Sequence, residues 1–318
     1  MRPLTKKLLA DFQIRKTKQQ KASFRAWLCD ELGRAGYAPQ VETGGLLNSS
    51  NVVAGDPEKA QVLLTAHYDT CAVLPFPNFI TPRNFLVYLL FQLLICALFL
   101  LIAIATEVAV LLAFDPPLWG ALLAIYAVLG FCVWWMLAGK ANKHTANDNT
   151  SGVAALLETA LALPEELRGK VCFVFFDNEE KGLLGSAAFA GRHPAAKREA
   201  LVLNFDCVGD GDFLQFFPRK AVKGEEETLR RLEVAFTGRG EKTVEIVRSF
   251  GFYPSDQAVF RRGVGVCALK KKPLIGYYMG RIHTRRDTVL EEENVLLLRD
   301  GVVRLLRDCD GVRRPAAL

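Results

Sequence analysis

With 318 residues, 51% of them hydrophobic, the chain exceeds one minimal domain and holds more apolar sequence than a single core needs, so one α/β domain with an insertion fits its length. Its eight cysteines lie scattered through apolar surroundings (Cys96, Cys132, Cys172, Cys267) with no CxxC pair, which argues against a disulfide framework and for reduced, buried thiols. The formal charge of +6 and pI near 8.9 do not by themselves call for an acidic partner or nucleic acid, because much of the excess sits in one N-terminal stretch.

In that stretch Arg2, Lys6, Lys7, Arg15, Lys16, Lys18, Lys21, Arg25 and Arg34 face only Asp11, Asp30 and Glu31. The apolar residues Leu8, Leu9, Phe12, Phe24 and Leu28 suit a helix whose basic face is solvated, or lies against anionic lipid if an anchor is near. Met1 to Tyr37 has no apolar core of the kind a cleaved export signal carries. Next, Gln61 to Ala66 reads as a buried strand.

The run from Phe85 to Ala105 is uncharged and rich in Leu, Ile and Phe. After Glu107 and Asp115-Pro116-Pro117 comes a second run, Leu118 to Gly139. Each can cross a bilayer, and beyond Gln92 they lack the polar stripe a core helix keeps. Arg83 precedes the first span and Lys140 and Lys143 follow the second, while the connection has no Lys or Arg; the pattern predicts a cell-membrane hairpin with both soluble parts on the cytoplasmic side. The expected organisation is residues 1–83 and 140–318 folding together as one domain, with 84–139 as the insertion.

Beyond the hairpin, strands are expected at Val171 to Phe176, Leu201 to Phe205 and Val264 to Leu269. Helices are expected at Ser151 to Leu163, Glu225 to Phe236 and Asn294 to Cys309, the last with Val295, Leu298, Val302 and Leu305 at helical spacing. This alternation belongs to an α/β sheet covered on both faces.

Three of the four strands end in possible metal ligands, the place where α/β proteins assemble sites. His67-Tyr68-Asp69 closes the first, Asp177-Asn178-Glu179-Glu180 the second and Asn204-Phe205-Asp206 the third. Asn147-Asp148-Asn149 precedes a helix, and His283, Thr284 and Asp287 follow the last strand. The chain has only four histidines, and two fall in this set. Carboxylates gathered at buried strand ends repel one another unless a cation joins them, and imidazole with carboxylate suits zinc better than calcium or magnesium.

At these residues the sequence resembles the co-catalytic di-zinc exopeptidases of metallopeptidase family M28, which includes leucyl aminopeptidases, glutamate carboxypeptidases and glutaminyl cyclases. The motifs run in order as His67-Tyr68-Asp69, Asn147 to Gly152, Asp177 to Ser186, Asn204 to Gly209, Ser255-Asp256 and His283 to Thr288. The resemblance implies a mixed central sheet with helices on both faces. It also implies two zinc ions bridged by Asp148, one completed by His67 and Asp206, the other by Glu180 and His283. Asp69 would orient His67, Glu179 would be the general base, and the Asp148–Asn149 peptide bond would be cis. Tyr253, Ser255 and Asp256 are candidate substrate contacts, although Gln257 stands where family members often have His. The implied function is removal of N-terminal residues from peptides; the alternatives are glutaminyl cyclase-like, carboxypeptidase or dipeptidase activity, or a catalytically silent membrane scaffold. Oligomeric state is not legible.

Overall fold

The computed structural model describes residues 2–114 and 117–308. Its strands are β1 (Gln40–Gly44), β2 (Ser49–Ala54), β3 (Val62–His67), β4 (Val171–Phe176), β5 (Leu201–Phe205), β6 (Phe213–Pro218), β7 (Thr243–Ile246), β8 (Gly263–Lys272) and β9 (Gly276–Tyr278). They form one mixed sheet in the order β1-β2-β4-β3-β5-β8-β6-β7, with β9 paired to β8. The four central strands β4, β3, β5 and β8 run parallel. β1, β2 and β6 join antiparallel. Every residue of β3, β4 and β5 is buried, as expected of a parallel centre packed on both faces. Their carboxyl ends therefore open at one edge.

Helices α1 (Pro3–Asp11), α2 (Lys18–Arg34), α3 (Phe85–Phe114), α4 (Leu118–Ala138) and α5 (Gly152–Ala162) follow. Helix α5 is buried along almost its whole length, between the sheet and the helix Glu292–Asp308. One core cluster joins α2, α5 and that last helix to one sheet face, and a second, built around Phe176, Phe189 and Phe260, covers the other.

Two sequence expectations change. The N-terminal stretch is two helices rather than one, because Thr17 starts α2 with a capping box: its hydroxyl accepts from Gln20 N–H while the Gln20 side chain accepts from Thr17 N–H. Nor is its basic face wholly solvated, since Arg15 and Lys21 are buried. The first apolar helix also runs past Ala105 to Phe114, taking Glu107 into its length. Helix α3 is long and apolar enough to cross a membrane; the apolar part of α4 covers Leu122–Ala138. The two helices pack on each other, and the rest of their surface exposes leucines such as Leu94 and Leu101, each at 63%. Asp115 and Pro116, within the expected connection, and Cys309 lie outside the described residues.

Candidate metal centre

The site forms where β3, β4 and β5 end and the chain must turn before its next helix. Asn178 and Cys207, just past β4 and β5, and His283, beyond β9, adopt left-handed backbone conformations, φ 56°, 57° and 62°, which are uncommon for non-glycine residues. The Asp148–Asn149 peptide bond is cis, in a single π-helical turn, Ala146–Ser151. That turn is tied down by its own side chains. Asn147 Oδ1 accepts from Gly209 N and Asp210 N, and Asn149 bonds Gly152 N, Cys207 N and the Phe205 carbonyl. Gly152 must lack a side chain here, because a Cβ would stand 2.2 Å from the Phe205 oxygen.

Asp148 stands at the centre with one carboxylate oxygen facing each histidine. His67 Nε2 is 3.3 Å from Asp148 Oδ1 and 3.5 Å from Asp206 Oδ1. His283 Nε2 is 3.1 Å from Asp148 Oδ2 and 3.3 Å from Glu180 Oε2. Most of these separations are long for hydrogen bonds. They match two ligand atoms about 2.1 Å from one tetrahedral ion, which stand roughly 3.4 Å apart. Glu180 Oε1 and Asp206 Oδ1 are buried without a hydrogen-bond partner among the described residues. With donors of this chemistry, the residues fit a pair of zinc ions sharing Asp148.

Electrostatics point the same way. Burial, reinforced by Asp148, pushes the Glu180 carboxyl up to about 8 against the pull of His283. Burial also raises Glu179 well above the carboxylate range, with Asp256, Glu180 and Asp206 adding to the rise against His67. Burial alone would lower His283, but Glu180 and Asp148 outweigh it and lift the ring to about 9. Gathered this closely, the buried carboxyls favour keeping protons unless a cation joins them, the role a divalent metal would fill.

Glu179 belongs with His67 and Glu180 in one group of close ligand atoms. Asp69 does more than expected: its two oxygens accept from Glu179 N–H and Glu180 N–H, 3.0 and 3.3 Å, fixing the turn that carries both glutamates. The nearer partner of His67 Nδ1 is the Asp69 backbone carbonyl at 3.1 Å, with the carboxylate at 3.6 Å. A carbonyl only accepts, so the ring proton belongs on Nδ1 and leaves Nε2 free to ligate. A cavity of about 160 Å³ opens onto the site between Asn78, Ile80, Tyr253 and Ile282. Tyr253 lines it, but its hydroxyl donates to the Asp206 carbonyl. Ser255 and Asp256 are fully buried and are not among its lining residues. The Ser255 hydroxyl accepts from Asn204, and burial raises Asp256 to about 7.

Three contributors, Arg15, Lys21 and Cys71, were not evident from the sequence, and a fourth, Asp287, stood out there without a role. Arg15 lies wholly buried between the Tyr68–Thr70 and Thr150 segments, bonded to the Tyr68 and Phe12 carbonyls and the Thr150 hydroxyl. Lys21 donates to Asp177 at 2.6 Å and to Asn178 at 2.8 Å, just below the glutamate turn. Asp287 accepts from Asn147 N–H and Asp148 N–H, holding the bridging residue's backbone. Cys71 joins Asp148, Glu180 and His283 in a second group of close ligand atoms. The Thr17…Gln20 capping signature was the available signal for Arg15, since it marks a new helix starting just after it and so places Arg15 in the turn between two helices.

The sequence pattern that defines peptidase family M28 matches residues 134–298, just over half of the chain. Leupeptin-inactivating enzyme 1 of Streptomyces exfoliatus is 30% identical over 145 residues, 44% of this chain and 30% of that protein, so the chain spans under a third of that relative. Among solved structures, the LapA aminopeptidase of Legionella pneumophila matches with TM-score 0.58 at 14% identity, over 98% of this chain and 70% of that one. Glutaminyl cyclase of Porphyromonas gingivalis matches with TM-score 0.61 at 18% identity, over 96% of both chains. A zinc-dependent exopeptidase of Parabacteroides distasonis gives 0.59 at 16%, over 95% and 94%. At these identities the structural likeness establishes the fold.

Proposed function

This chain belongs to peptidase family M28, and from that premise we propose that it is a membrane-anchored two-zinc aminopeptidase. The observation that carries the reading is the orientation of Asp148, whose two oxygens face His67 and His283 separately at 3.3 and 3.1 Å. His67 and Asp206 would hold one zinc, Glu180 and His283 the other. Zinc bound there supplies an acidified water and a Lewis acid for the substrate carbonyl. Glu179, its backbone pinned by Asp69, takes the proton from the attacking water and delivers it to the leaving amine. Tyr253, Ile80 and Ile282 enclose the substrate's first side chain, and a cavity of about 160 Å³ favours one terminal residue over a long segment.

The same reading sets α3 and α4 across a membrane with the catalytic domain on the cytoplasmic side. What supports it is the exposed apolar surface of both helices, the basic residues Arg83, Lys140 and Lys143 at their feet, and Trp135, Lys140, Arg285 and Arg286 around a second cavity there, of about 570 Å³.

A substrate panel tests the activity. Purified chain loaded with zinc should release the amine from leucine anilide, leave N-acetyl-leucine anilide intact and give no cyclised product from N-terminal glutamine. Cleavage of N-blocked peptides, or cyclisation without hydrolysis, would overturn the assignment.

A further inference from the structure

Resting on the two-metal reading above, we propose that Cys71 is a thiolate ligand of the metal position formed by Asp148, Glu180 and His283. One ligand atom from each of these four residues lies within 4.8 Å of all the others, with Cys71 and Asp148 buried. A sulfur about 2.3 Å and an oxygen about 2.1 Å from one tetrahedral ion stand roughly 3.6 Å apart, so only a small adjustment gathers the set. The backbone aims the cysteine there. Cys71 follows the His67–Thr70 turn, its carbonyl accepts from Asn142 N–H, and the flanking Ala72 pairs with Ala141. Asn142 in turn donates to the Thr284 carbonyl, next to His283, which locks the chain leaving α4 against the same side of the site. The other position, grouped as His67, Asp148 and Asp206, has no cysteine in its set.

Ligation replaces the S–H bond by an S–metal bond, and the proton leaves to solvent. The two positions then differ in kind. A soft, charged fourth ligand closes the Glu180–His283 position, which holds its ion firmly, whereas the His67–Asp206 position keeps an open place and exchanges faster.

Cobalt is the probe. Detergent-purified full chain, stripped by chelator and reloaded with two equivalents of Co²⁺, should show a near-ultraviolet sulfur-to-cobalt charge-transfer band that saturates with one of the two ions. Cys71→Ser should abolish that band while the visible cobalt bands persist. Cys207→Ser, which alters the other cysteine at the site, should leave it unchanged. Chelator should remove the two ions at rates differing at least tenfold in the wild type, and less in Cys71→Ser. In case the variant does not fold, cadmium NMR of the wild type should give one sulfur-shifted and one oxygen/nitrogen resonance. Two bound cobalt ions with no sulfur band, or a band that survives Cys71→Ser, would overturn this proposal alone. Failure to bind two ions would overturn the two-metal reading and this proposal with it.

Discussion

At the scale of single residues, the account turns on adjacent glutamates doing different work. Glu180 presents an oxygen to His283 at 3.3 Å, whereas Glu179 stands on the same turn without a place in the His283 set. Glu179→Gln keeps the side-chain shape and both N–H groups held by Asp69, so metal content and fold should be unchanged. Turnover should fall about 10²- to 10⁴-fold, the usual loss on removing a general base. Near-normal turnover in a fully loaded Glu179→Gln enzyme would remove Glu179 from the mechanism. Much of this site was legible because strand ends announce themselves: a run of buried apolar residues stops at His67, at Asp177 and at Asp206. The supporting residues were not, because Arg15 and Lys21 sit in a basic stretch whose other members are mostly exposed, and beyond the Thr17 capping signature after Arg15 nothing local distinguishes them.

Among the elements, the link between α2 and the end of β4 carries an ion pair that the core has shut in. The Lys21 and Asp177 side chains are 7% and 3% exposed, and Asp177 also accepts from Ser50 N–H. Removing the cation leaves a buried carboxylate without its partner, which costs about 3–5 kcal/mol. Lys21→Met should therefore lower the unfolding midpoint clearly, and adding Asp177→Asn should restore part of the loss. A loss under about 1 kcal/mol in the unfolding free energy from denaturant titration would mean that water reaches the pair. The central strands were readable from their continuous apolar runs, but the flanking ones were not. β1 is Gln-Val-Glu-Thr-Gly and half exposed, β7 is four residues, and β6 ends in a proline, so none has a run long enough to stand out from a loop. Their pairing comes from the neighbouring strands rather than from their own composition.

For the whole molecule, the segments that flank the 84–139 insertion reach the site itself. The segment leading into α3 supplies Asn78 and Ile80 to the cavity, and the chain leaving α4 pairs at Ala141 with Ala72. A hairpin crossing the membrane would place this opening close to the lipid surface. A cysteine introduced at Trp119, which is 67% exposed near the start of α4, should react with an impermeant thiol reagent on intact cells, whereas one at exposed Arg198 should react only after lysis. The reverse pattern would invert or abolish the hairpin. The central claim, two metals sharing one carboxylate, is tested most directly by zinc stoichiometry on purified chain and two variants. The geometry predicts two zinc ions per wild-type chain, one in His67→Ala, and neither retained in Asp148→Asn. A wild type that saturates at one zinc, or an Asp148→Asn chain that keeps two, would contradict it.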